Sequence, residues 1–188
     1  MEFGDYIWKT KHCLQDLLKQ DSKIQTIIEI LEIVKKEKKQ VFIVGNGGSV
    51  GTHFSADLFK IAGIKAISLN ENVPLLTALI NDDGWNEVYV EQLKRLYNMG
   101  DVLIAISVHG GSGEDKAGLW SQNLNKAIKY VKFSGGYTIG LTGFDGGEMK
   151  DICDVCIIVP SDSTPIVESM HNVIHHYIAF ALQEGDRK

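Results

Sequence analysis

Residues 41–49, Val-Phe-Ile-Val-Gly-Asn-Gly-Gly-Ser, constrain the fold more than any other stretch: a short apolar run stops in a glycine-rich turn, and a helical pattern starts directly after it. Such a run reads as a buried strand that delivers the chain to the carboxyl edge of a sheet. Glycines there let backbone N–H groups approach an anion, and the next helix points its positive end at the same spot. The turn therefore has the layout of a phosphate cradle. It matches neither G-x-x-x-x-G-K-[ST] nor G-x-G-x-x-G, so no nucleotide cofactor is expected.

A second loop repeats the layout. Residues 102–106 are an apolar strand that runs into Ser107-Val108-His109-Gly110-Gly111-Ser112. Ser107 and Ser112, five apart around a Gly-Gly turn, can both point inward. With Asn46, Gly47, Gly48 and Ser49 they make a site that holds one phosphate by neutral donors, without a lysine. That suits a sugar phosphate better than a nucleotide.

Helical and extended patterns alternate along the chain. Ile24, Ile27, Ile28, Leu31 and Val34 recur at three- and four-residue spacing in a helical stretch from about Tyr6 to Lys36, and Asp21 or Ser22 is placed to start the second of two helices. This hairpin, residues 1–38, is expected to pack outside the sheet; its apolar stripe is a candidate oligomerisation surface, with core-covering packing the alternative. Residues 39–188 read as strand 41–44, helix 50–62, strand Ala66–Leu69, helical pieces Pro74–Ile80 and Asn86–Tyr97, and strand 102–107. They continue as helix Leu119–Phe133, strand Tyr137–Thr142, short helix Glu148–Ile152, strand Val155–Val159 and helix Pro165–Leu182. Helices between non-adjacent apolar strands imply right-handed crossovers. The expected fold is α/β, a doubly wound parallel sheet in a three-layer α/β/α sandwich, with ligands at the carboxyl ends of the strands.

The 188 residues, 44% hydrophobic, suit one domain with a substantial core. A net charge of -5 leaves no electrostatic footprint for nucleic acid. No apolar run approaches the roughly 18 residues that a membrane span requires, and a cytoplasmic protein is expected. Three cysteines make no disulfide framework; Cys153 and Cys156 read as structural thiols.

Two groups carry metal or acid/base chemistry. His53 and Asp57 stand four apart on one helical face, beside the first loop. The last helix holds Glu168, His171, His175 and His176. Glu168, His171 and His175 follow a single helical face, whereas Glu168 and His176 lie about 12 Å apart along an ideal helix. Asn81 and Asp82 have polar groups suited to sugar hydroxyls, although Asp82 is equally placed to cap the helix that follows.

Taken together, VFIVGNGGS, HFSAD, LTALINDDGW, GDVLIAIS..G..S, IGLTGFDGG and VES.H....H resemble the sugar isomerase (SIS) domain family, and within it the phosphoheptose isomerases, which act on sedoheptulose 7-phosphate. The resemblance runs from about Phe42 to Leu182. It implies that Asn46, Gly47, Gly48, Asn81 and Asp82 contact substrate and that Ser107, Val108, His109 and Ser112 form the phosphate loop. It also implies that His53, Asp57, Glu168 and His176 bind a divalent metal, expected to be zinc, one per subunit. It further implies a homotetramer with shared active sites and a place in surface-polysaccharide heptose synthesis, in lipopolysaccharide or capsule. Some positions depart from the family pattern. The Ser49–His53 segment is about two residues shorter, Asp57 replaces a Glu, and Glu168 replaces a Gln. Val108 and His109 replace hydroxyl residues, and Gly113 to Gln122 looks like an enlarged loop.

The chemistry implied is aldose–ketose isomerisation through an enediol(ate), with Asp57 and His176 as acid/base candidates and Ser49, Asp57 and Glu168 also facing substrate. Two alternatives remain: an isomerase of another phosphosugar, and a non-catalytic SIS module that binds a sugar phosphate or a replication-initiator partner.

Overall fold

A computed structural model describes residues 2–47, 50–111 and 120–185. Five parallel strands form one sheet in the order β2-β1-β3-β4-β5. They are β1 (Gln40–Gly45), β2 (Lys65–Ser68), β3 (Val102–Ile106), β4 (Tyr137–Thr142) and β5 (Val155–Ile158). Around them run α1 (Phe3–Leu17), α2 (Asp21–Lys36), α3 (Val50–Lys60), α4 (Val73–Asp82), α5 (Val90–Leu96), α6 (Gln122–Phe133), α7 (Met149–Ile152) and α8 (Thr164–Gly185). The expected doubly wound sandwich is the fold observed.

Side-chain alternation on β1 divides the core. Val41 and Ile43 face a layer that contains Ile27, Leu31, Phe54, Leu58, Ile174 and Ile178, while Phe42 and Val44 face one that contains Tyr89, Leu93, Leu124 and Ile128. Both faces of the sheet are thus covered, which explains why β1 and β3 are continuous apolar runs without polar alternation.

Only part of the N-terminal hairpin lies outside the sheet. The stripe Ile27, Leu31 and Val34 of α2 is buried in the core, and α2 packs on α8 and β5, so core cover is its role. On α1, Phe3, Ile7, Trp8 and Leu14 remain exposed. Asp21 is the first residue of α2, preceded by Gln20, which makes no side-chain cap. The Gln20 amide instead bonds the edge strand: Nε2 donates to the Ile158 carbonyl, and Oε1 accepts from the Ile158 N–H at 3.0 Å. With Lys23 Nζ donating to the Cys156 carbonyl at 2.9 Å, this covers polar groups that an edge strand would expose. Burial pushes the Cys153 and Cys156 thiols up, which keeps them in the unreactive thiol form.

Leu31 has no exposed surface, whereas Ile33 on the opposite side of α2 is exposed. Leu31→Ala is expected to lower the unfolding free energy by about 3 kcal/mol, and Ile33→Ala by about 0.5 kcal/mol or less. Urea titration of both variants measures the contrast.

Candidate functional site

The site lies where β1 and β3 end side by side. Gly45 pairs with Ile106, so Asn46 and Ser107 leave the sheet as neighbours. The cleft above them is lined by Asn46, Gly47, Val50, Thr52, Asn70, Ser107, Val108, Glu168, His171 and Asn172, among others. Strand ends supply its floor, and the start of α3 and the first half of α8 supply its walls. Gly47 holds a φ of +75° with open space where a Cβ would be, so its backbone can approach a ligand closely.

Asn46 is held on several sides. Its amide exchanges reciprocal hydrogen bonds with Asn123, each 2.8 Å. Tyr89, fully buried, donates to the Gly45 carbonyl at 2.8 Å and accepts from Asn70 Nδ2 at 2.9 Å. Gly45 and Asn46 are therefore held in place before any ligand arrives. Ser107 is equally constrained, its Oγ accepting from the Gly110 N–H at 3.1 Å. Gly110 in turn passes so close to the next loop that a Cβ there would lie 2.1 Å from the Gly146 carbonyl oxygen.

Ser121, which sequence reasoning missed, stands against two cleft-lining residues, Ser107 and Asn46. It stands in the left-handed region at φ 57°, at the N-cap of α6, and makes no side-chain cap. Its Oγ instead lies 3.3 Å from Ser107 Oγ and 3.4 Å from Asn46 Nδ2. This brings a second hydroxyl and the positive end of a 12-residue helix to the Ser107 loop. The available signal was a serine followed by the apolar periodicity of Leu124, Ala127, Ile128 and Val131, an N-cap pattern. The expected helix start at Leu119 obscured it. Gly48, Ser49 and Ser112, all expected to touch phosphate, lie outside the described residues.

Other expected contacts are placed elsewhere. Val108 lines the cleft. The ring of His109 packs on Phe144, with centroids 4.2 Å apart, and meets Trp120 at 5.3 Å, so it stands in an aromatic group and not among the cleft-lining residues. Asn81 and Asp82 are exposed on the last turn of α4, where Asn81 Nδ2 donates to Asp82 at 2.7 Å, and neither lines the cleft. Asp82 ends α4 and caps nothing; the turn after it is headed by Gly84.

Beside the cleft, α3 and α8 pack together and bring His53, Asp57, His175 and His176 into one group whose ligand-capable atoms all lie within 4.8 Å of one another. Glu168, expected in this group, is not part of it; it lies two turns earlier on α8, in the cleft wall. Asp57 Oδ2 is 3.4 Å from His175 Nε2 and 3.6 Å from both His53 Nε2 and His176 Nε2. These separations are too long for good hydrogen bonds. Asp57 Oδ2 and both ring nitrogens of His175 are buried without a hydrogen bond among the described residues, the His171 carbonyl beside His175 lying outside hydrogen-bonding geometry. Burial, reinforced by His176 and His53, lowers the His175 pKa to about 4, so its imidazole is neutral near pH 7. Orphaned buried acceptors facing neutral imidazole are the donor set a divalent cation satisfies.

His171 does not join the group. Its Nε2–H donates to the Thr142 carbonyl at 3.2 Å, and burial lowers its pKa to about 4. Because the folded-state pKa lies below the ordinary value of 6.5, the unfolded chain takes up a proton first and stability is lost as pH falls from 6.5 towards 4. In metal-free protein the His171 contribution is expected to fall by about 2 kcal/mol between pH 7 and pH 5. Urea midpoints at the two pH values should differ less in His171→Gln than in the unmodified chain.

No family model matches the chain. It is 38% identical over 182 residues to a phosphoheptose isomerase of Helicobacter pylori, covering 93% of this chain and 87% of the relative. It is 40% identical over 162 residues to a phosphoheptose isomerase of a Nitratiruptor species, covering 82% and 81%. Among solved structures, a phosphoheptose isomerase from Neisseria gonorrhoeae superposes with a TM-score of 0.85 at 25% identity, covering 96% of both chains. One from Francisella tularensis gives the same score and coverage at 22% identity and shares the fold.

Proposed function

The chain belongs to the phosphoheptose isomerase family, and from that premise we propose that its cleft converts sedoheptulose 7-phosphate into the corresponding aldoheptose 7-phosphate. The observation that carries this reading is the placement of a neutral, hydroxyl-lined anion cradle next to an imidazole–carboxylate group at the carboxyl edge of one sheet. A ketose phosphate presents an anion at one end and a reacting hydroxy-carbonyl unit at the other, and the two halves of the site match those two ends.

Ser107 and Ser121, with the α6 N-terminus, hold the phosphate by donors that carry no full charge. Ser49 and Ser112 complete this loop pair in the proposal. Asn46, locked by Asn123, and Asn70 present amides to the sugar hydroxyls. Substrate thus arrives at a surface already arranged for it. Asn81 and Asp82 contact substrate through subunit packing, in a homotetramer that would bury the exposed apolar face of α1.

Isomerisation removes a proton from the carbon beside the carbonyl and returns one to its neighbour, while the two oxygens exchange a proton. His53, Asp57 and His176 would hold a divalent cation, expected to be zinc, which when bound polarises the sugar carbonyl. Asp57 and His176 are the acid/base pair expected from the sequence. A group that ligates a metal is a weaker base, which leaves Glu168, on the cleft wall, as the carboxylate free to take the proton.

A second reading, isomerisation of another phosphosugar, draws on the packing of His109 with Phe144 and Trp120 next to the serine loop, where the family pattern has a hydroxyl residue. Turnover across five-, six- and seven-carbon ketose phosphates separates the two. Asp57→Ala and His176→Ala are each expected to lower kcat with sedoheptulose 7-phosphate by about a hundredfold or more. Ser107→Ala is expected to raise KM by about tenfold to a hundredfold, from loss of a hydrogen bond to a charged group. Wild-type turnover in both cluster variants would refute the assignment.

A further inference from the structure

We propose that His175, and not Glu168, is the fourth ligand of the ion site, so that the ligand set His53, Asp57, His175 and His176 closes within a single subunit. The inference rests on the metal-assisted reading of the same site.

Geometry favours His175. A tetrahedral ion with bonds of about 2.0–2.1 Å sets its ligand atoms about 3.3–3.4 Å apart. His175 Nε2 is already 3.4 Å from Asp57 Oδ2, nearer than either His53 or His176 at 3.6 Å. The remaining separations stay within 4.8 Å, so modest side-chain movement closes the shell. Glu168 lies seven residues before His175 on α8, about 10 Å along the helix, and its side chain borders the cleft among Asn46, Thr52 and Ser107.

Burial supplies an independent reason. The His175 side chain is 0% exposed, yet neither ring nitrogen is hydrogen-bonded. A buried imidazole that faces an equally unpartnered carboxylate oxygen is costly unless something satisfies both. His53 and His176, by contrast, are about half exposed and can be hydrated. A cation at this point satisfies Asp57 Oδ2 and His175 Nε2 together, while His53 and His176 close the outer side. Glu168 is then available to substrate.

Metal-free protein is titrated with Co2+, and its ligand-field absorption and the bound metal after desalting are read. The unmodified chain is expected to bind one Co2+ per subunit. His175→Leu, which keeps an apolar fill at a buried position, should weaken Co2+ binding by about a hundredfold or more, whereas Glu168→Ala, which removes the donor at that position, should change it less than about threefold. Circular dichroism of the metal-free variants confirms that each is folded. Should His175→Leu fail to fold, zinc X-ray absorption of the unmodified holoprotein decides: three imidazole ligands support the proposal, and two overturn it. Equal loss of Co2+ in Glu168→Ala, unchanged binding in folded His175→Leu, or no Co2+ binding by the unmodified chain would each overturn it too. None of these measurements reads turnover, so an inactive but metal-loaded protein would refute the isomerase reading alone.

Discussion

Pairing β1 with β3 in parallel, with Gly45 opposite Ile106, makes two loops from distant parts of the sequence leave the sheet side by side. The chain runs from β1 outward to β2 and then returns to the other side of β1 as β3, so the connections diverge at that boundary. A crevice opens at such a switch point because the flanking helices cover opposite faces of the sheet. Asn46 and Ser107 sit in it without any interaction of their own having to hold the two segments together. The apolar pairs Val41 with Val102 and Ile43 with Ile104 do that.

The two halves of the proposed site, one for the anion and one for proton transfer, are stabilised in opposite ways. Around Asn46 and Ser107 the polar groups satisfy one another: amide to amide, phenol to carbonyl, hydroxyl to backbone N–H. Among the described residues, those groups are satisfied without a ligand. Around Asp57 the polar groups converge but do not bond, and the cost of burying them is borne by the packing of α3 on α8, with Phe54 and Leu58 inserted in the core. A site that is strained until filled discriminates for a filler of the right charge. A site that is satisfied when empty positions a ligand without changing shape.

Most of the fold was legible because its signals are local. Apolar runs such as 102–106 and the three- and four-residue spacing in α2 need no knowledge of neighbours, and the strand-helix alternation then dictates a parallel sheet. What the periodicity of α2 could not state was which side of the stripe would be covered. Ile27, Leu31 and Val34 look the same whether they meet β5 and α8 or a second subunit. The site was legible in its loops and less so in its cluster. Asn46, Ser107, Val108, His53, Asp57 and His176 stand in or beside the cleft. Ser121 was hidden by the residues between the Gly110-Gly111 turn and the start of α6, because hydroxyls at fixed spacing are visible in a sequence and hydroxyls joined across an insertion are not.

His175 was legible in the sequence as a member of the Glu168, His171 and His175 face, but not as a partner of His176. On a helix, adjacent residues point about 100° apart, so His175 and His176 are not expected to share a target. They do so here because the target is not on their own helix axis but on α3, where Asp57 reaches between them: one imidazole approaches from the buried side at 3.4 Å, the other from the half-exposed side at 3.6 Å. In the proposed arrangement the cluster is filled from α8 two turns later, and Glu168, on the cleft wall, faces the sugar and not the ion.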